Sequence, residues 1–298
     1  MLTRLSGAEQ CWALPADWEV GARGVRQALE VAAFRDYLFN MLKKLIPALV
    51  VLVAMGARSE IVTKPVEYKE GDTVLEGLWV YDDAIQGKRP GVLVVHQWKG
   101  LGDYEKKRSE MLARLGYNVF AVDIYGKGVR PQNAKEAGAQ AGKYKSDRVL
   151  LRARVRAGLE VLAANELTDP HRMGAIGYCF GGTTVLELAR SGAELAAVVS
   201  FHGGLGSPTP AEAKNIKAKV LALHGADDPN VPPKEVAAFE EEMRQGGVDW
   251  ELVAYGGAVH SFTDWNAGSD NSRGAAYNER ADRRSWEAMK QMFAEVFK

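Results

Sequence analysis

Cysteine is scarce in this chain: only Cys11 and Cys179 occur in 298 residues. Two thiols so far apart build no disulfide framework, and there is no Cys-x-x-Cys pair to hold zinc. A surplus of either charge is also missing, because 38 Lys+Arg balance 38 Asp+Glu. A chain without a basic excess has no global electrostatic reason to bind nucleic acid or an anionic membrane surface. The longest apolar run, 45–55, falls short of the roughly 20 residues that span a bilayer. The five histidines include no pair at metal-ligand spacing, so neither a metal nor another cofactor is expected. What is present, 47% hydrophobic and 26% charged residues, describes an ordinary globular protein and excludes wholesale disorder.

The first sixty residues read differently from the rest. From Met41 the chain runs Met-Leu-Lys-Lys, an apolar stretch from Leu45 to Met55, and the small residues Gly56 and Ala57. Basic, apolar and small-residue segments in that order form the pattern of a secretory signal peptide, expected over 41–57. The segment would then start at Met41, with 1–40 an upstream extension or disordered. A surface or membrane-anchoring helix over 25–55 is the alternative. Cleavage after Gly56 or Ala57 places the mature protein in the periplasm or outside the cell, with no stable membrane association. Without cleavage the protein is cytoplasmic.

Residues 58–298 read as one domain, without repeats or a low-complexity linker. Ile61–Tyr68 and Thr73–Val80 alternate apolar and polar residues and predict an antiparallel pair. Val92–Val95, Asn118–Ile124, Arg172–Gly177, Leu195–Phe201, Val220–Leu223 and Trp250–Tyr255 predict further strands, several of them buried on both faces. Helices are expected over 103–115, 146–164, 180–190, 233–245 and 281–297. This strand–helix alternation predicts an α/β fold, a mostly parallel central sheet with helices on both faces. The Gly- and Lys-rich stretch 126–145 is expected to border a pocket.

The chemistry concentrates in three loops. Gly177-Tyr178-Cys179-Phe180-Gly181-Gly182 stands between a strand and a helix. A nucleophile elbow has this form, with cysteine where serine is commoner; a Cβ at a flanking glycine would crowd the tight turn. The N-terminus of the following helix favours thiolate. A thiol nucleophile needs a base and a group to orient it. His260 follows the strand ending at Tyr255, and Asp227 and Asp228 follow the strand ending near Leu223. The order nucleophile, acid, histidine is that of the α/β-hydrolases, and each member sits at the carboxyl edge of the predicted sheet. The residues alone do not choose between Asp227 and Asp228. An oxyanion hole is expected from the N–H of Phe180 and of Trp98, in the loop after Val92–Val95. His96 and His202 end strands and fit pocket-lining or structural roles equally, while His171 reads as a loop residue just before a strand and His224 as a hydrogen-bonded strand-end residue.

With these pieces in place, residues 60–298 resemble the dienelactone hydrolase family. The resemblance rests on Val94–Leu101, Val122–Gly128, Gly177–Gly182, Asp228-x-x-Val231-Pro232 and His260-Ser261-Phe262. It implies an α/β-hydrolase fold and a Cys179–His260–Asp228 triad, since the family aspartate stands three residues before the Val-Pro pair. It also supports Trp98 and Phe180 as oxyanion donors and makes Gln97 and Lys127 candidate pocket residues, beside His202 from its place at a strand end. The implied reaction is hydrolysis of a small-molecule ester or lactone, or a thioester, through a thioester acyl-enzyme. Two positions depart from the family pattern. Gln97 replaces a glutamate that assists the resting cysteine, and Asp264 replaces an arginine that reads the substrate carboxylate. A general carboxylesterase or thioesterase uses the same residues; a non-catalytic protein or a thiol-redox protein on this fold is the rival of another class.

Overall fold

The computed structural model describes residue 26, residues 30–43 and residues 60–298. Residues 30–43 are helical, α1, and expose Phe34, Tyr37 and Phe39. They belong to a unit separate from the one spanning Ser59–Lys298. The expected signal segment, 41–57, lies outside the described residues beyond 43, as does most of 1–40. Among the described residues no helix is long and apolar enough to cross a membrane.

The larger unit is an eight-stranded sheet. Its strands are β1 Ile61–Glu70, β2 Thr73–Asp82, β3 Arg89–Val95, β4 Asn118–Val122, β5 Thr168–Tyr178, β6 Ala197–Phe201, β7 Lys219–Gly225 and β8 Trp250–Tyr255. They lie in the order β1-β2-β4-β3-β5-β6-β7-β8. β1, β2 and β4 pair antiparallel and every other pairing is parallel, as the alternating pattern predicts. The β1–β2 hairpin is tighter than the sequence suggests, since Glu70 pairs with Thr73 and Gly71 takes the positive φ of +53°. β5 starts at Thr168, so His171 belongs to a strand and not to a loop.

Strands β4 and β6 are buried at every residue, which is why they read as continuous apolar runs. The helices α2 Asp103–Arg114, α3 Ala134–Ser146, α4 Arg148–Ala164, α5 Phe180–Arg190, α6 Pro233–Gly246 and α7 Glu279–Val296 cover both faces. One apolar core joins α3 to α6 through Tyr144, Leu159, Val185 and Phe239. The other joins α2 and α7 through Leu112, Met289 and Phe293. α3 occupies the stretch expected only to border a pocket; its alanines and glycines give too weak an apolar period to predict it. It is started by Asn133, whose side chain accepts from Glu136 N.

Candidate active site

Parallel strands deliver their following loops to one edge of the sheet, and the candidate residues meet there. β5 ends at Tyr178 and α5 starts at Phe180, so a single residue, Cys179, makes the whole turn. It does so at φ 55° and ψ −113°, a conformation costing about 1–3 kcal/mol for a residue with a Cβ. The glycines around it are sterically required. A Cβ on Gly177 would lie 2.0 Å from Gly181 O, and one on Gly181 would lie 2.2 Å from Val95 O. The Cys179 N–H is held by Phe201 O at 3.0 Å and by His202 Nδ1 at 3.1 Å.

His260 Nε2 lies 3.0 Å from Cys179 Sγ, and His260 Nδ1 lies 2.8 Å from Asp228 Oδ2. Asp228 is buried, and its other oxygen accepts from Asn230 N at 2.8 Å. Asp227 is turned away and accepts from Gly257 N at 3.1 Å. Geometry therefore separates two adjacent aspartates that residue type and chain order alone leave equivalent. Burial opposes charge on His260, but the facing sulfur and the hydrogen bonds to Asp228 and Cys179 outweigh it and raise its pKa to about 10. Burial likewise resists the Cys179 thiolate, yet His260, Lys145 and the Phe180 N–H together lower its pKa. The favoured state of the pair is thiolate facing imidazolium.

A cavity of about 420 Å³ opens over this pair. Trp98, Phe180, Val231 and Ala275 give it apolar walls, and Gly138, Ala141, Gly142 and Lys145 bring α3 to its side. Among the described residues, Lys145 is the only ionisable lining residue besides Cys179 and His260. Trp98 and Phe180 thus both reach the cavity from the loops expected to carry oxyanion donors. The Trp98 carbonyl is anchored by the Tyr125 hydroxyl at 3.0 Å.

Three residues expected at the pocket lie off its lining. Lys127 is exposed beside the hairpin and pairs with Glu67 and Glu76. Gln97 donates from Nε2 to Asp264 Oδ2 at 3.0 Å. His202 is buried behind the elbow; because Nδ1 accepts from Cys179 N, its Nε2–H donates to Thr263 Oγ1 at 2.7 Å. Burial, with His260 facing it, pushes the His202 pKa well down, so the ring is neutral. His96 is structural too, since its Nε2 accepts from Ile124 N at 3.2 Å and so joins the ends of β3 and β4.

Sequence reasoning missed Glu105. Its two carboxylate oxygens accept from Gln97 N and Gly102 N, each at 3.0 Å, and clamp both ends of the loop that carries Trp98. Burial raises its pKa to about 7. The signal was available as half of a capping box at the start of α2, where the residue three after Gly102 is a glutamate that can accept from the Gly102 N–H.

Sheet order, the strained elbow and the Cys–His–Asp array at the carboxyl edge define an α/β-hydrolase fold with a cysteine at the turn of the elbow. The chain belongs to the dienelactone hydrolase family, which it matches over residues 75–297. Among solved structures it is similar to a dienelactone hydrolase-like promiscuous phosphotriesterase from metagenomic libraries. That likeness has 41% identity and a TM-score of 0.77, over 80% of this chain and 99% of the other. A protein of Aquifex aeolicus named as a carboxymethylenebutenolidase is 28% identical over 214 residues, 70% of this chain and 89% of that one. A Bradyrhizobium protein named as a lactonase is 29% identical over 188 residues, 60% of this chain and 75% of that one.

Proposed function

We propose that this chain is a carboxylic-ester hydrolase that cleaves an ester or lactone bond of a small molecule, with Cys179 as nucleophile. The observation that carries the reading is the continuous Sγ···Nε2, Nδ1···Oδ2 chain at 3.0 and 2.8 Å, opening on a cavity. The Cys179 thiolate attacks the carbonyl carbon, and the N–H groups of Phe180 and Trp98 hold the oxyanion. Such donors contribute about 3–4 kcal/mol each. His260 gives its proton to the departing alkoxide, leaving a thioester on Cys179. His260 then takes a proton from water, which attacks the thioester and releases the acid and the thiolate. Asp228 holds the imidazole in the required tautomer throughout. The names of the Aquifex and Bradyrhizobium relatives favour a lactone, and thioesters are reached by the same steps.

The test is turnover of p-nitrophenyl acetate and of a lactone panel by wild type and Cys179→Ala. Loss of turnover in a folded variant, with an acyl adduct trapped on Cys179 of the wild type, supports the reading. Retained turnover refutes it. The name of the 41% identical structure favours a second substrate class, phosphotriesters, at the same sulfur; a phosphotriester in the panel decides it. We read 41–57 as a removable signal peptide, and N-terminal sequencing of the natively expressed protein tests this, since a mature start before Met41 excludes it.

A further inference from the structure

Helix α3 carries two glycines that its own fold does not require. Gly138 and Gly142 stand in the interior of Ala134–Ser146, where glycine is less favourable than alanine. Neither has a positive φ, so the backbone does not demand them. Neither is a packing contact, because a Cβ on either would meet nothing within 4 Å. Gly177 and Gly181 are the contrast, since a Cβ on either would strike backbone. Four residues apart, Gly138 and Gly142 share one helix face. Both line the 420 Å³ cavity that holds Cys179 and His260. Both are also exposed to solvent, so the two absent side chains leave room at the open mouth of the reactive cavity.

We propose that α3 is the wall that sets substrate size: Gly138 and Gly142 make room for an ester or lactone carrying a bulky apolar group. The inference rests on the reading of Cys179 as nucleophile. The bulky group belongs to the acyl or the alcohol side of the scissile bond, and its apolar surface is met by Trp98, Ala141 and Phe180. A leucine at either glycine fills that volume, whereas a small substrate needs little of it. One misplaced carbon group in an apolar pocket changes kcat/KM by roughly 10–200-fold.

The experiment compares wild type with Gly138→Leu and Gly142→Leu in two ways. The first is kcat/KM for p-nitrophenyl naphthoate (bulky acyl) and naphthyl acetate (bulky alcohol), each divided by that for p-nitrophenyl acetate. The second is the labelling rate of Cys179 by pyrenyl maleimide divided by that by iodoacetamide, located by peptide mass spectrometry. The expected result is a fall of about tenfold or more in the labelling ratio and in one of the two ester ratios. The arm that falls identifies the side that lies along α3. Ratios within twofold of wild type overturn the proposal. Gly138→Ala and Gly142→Ala keep the test valid where leucine prevents folding: both should raise Tm and shift the same ratios in the same direction. Labelling needs no turnover. A wild type that labels but hydrolyses no ester thus counts against the hydrolase reading, and unchanged labelling ratios count against the wall.

Discussion

The Gln97 side chain donates to Asp264 at 3.0 Å, and so the two positions expected to depart from the family pattern are bonded to each other. An amide facing a carboxylate is a satisfied pair; two carboxylates there would repel unless they shared a proton. Gln97→Glu should therefore lower stability by about 1–3 kcal/mol at alkaline pH and lower turnover with it. Both losses should shrink as the medium is acidified and one carboxyl protonates. Gln97→Glu with Asp264→Asn restores an amide–carboxylate pair and should recover both. Thermal melts at two pH values check this, and a double variant no better than the single one contradicts it.

The thiolate–imidazolium pair sets the pH range of the chemistry. Because His260 lowers the Cys179 pKa, thiolate persists below the free-thiol value of about 8.5 and is lost only at more acidic pH. Because the His260 pKa is raised to about 10, the imidazolium is lost as pH rises through that value. Ester turnover should follow a bell with its alkaline limb near pH 10. In His260→Gln, burial acts on the thiol without its main counter-charge, so the midpoint of iodoacetamide labelling should move above that of the wild type. Lys145→Met should move it in the same direction by less. Labelling rates across pH decide both.

Asp228 and Asp227 offer an internal control. Asp228→Asn removes the carboxylate bonded to His260 Nδ1 and should lower kcat by about 10²–10⁴-fold. Asp227→Asn alters the carboxylate bonded to the Gly257 N–H, away from His260, and should stay within about twofold. Equal losses in the two variants would contradict the assignment.

Gly181→Ala tests the elbow itself. Its Cβ would lie 2.2 Å from the Val95 carbonyl oxygen, on a strand buried at its centre. Neither backbone can yield without breaking β3 pairing, so the expected loss is about 3 kcal/mol or more. Urea denaturation measures it, and a loss under 1 kcal/mol would show that the turn relaxes freely.

Much of this site was legible in the chain before folding. A cysteine between glycines, placed between an apolar strand and a helix, already specifies a sharp turn that projects its side chain, because the steric demand is local. The order nucleophile, acid, histidine is readable for the same reason: Cys179, the Asp227–Asp228 pair and His260 each follow a strand, and parallel strands send their following loops to one edge. Long, mostly apolar runs such as β4 and β6 announce central strands because burial on both faces leaves little place for polar residues.

Only the tertiary structure decided which neighbours meet. Asp227 and Asp228 differ by one backbone step, and nothing local says that one turns to His260 and the other to Gly257. Lys127 looks like a pocket cation by its motif, but the hairpin brings Glu67 and Glu76 to it from 60 and 51 positions away, counted from residue 127. Lys145 takes the place at the cavity instead, carried there by a helix whose alanines and glycines give almost no apolar period. Local sterics and burial patterns are written in consecutive residues; the partners of a charge are chosen by how separate elements pack.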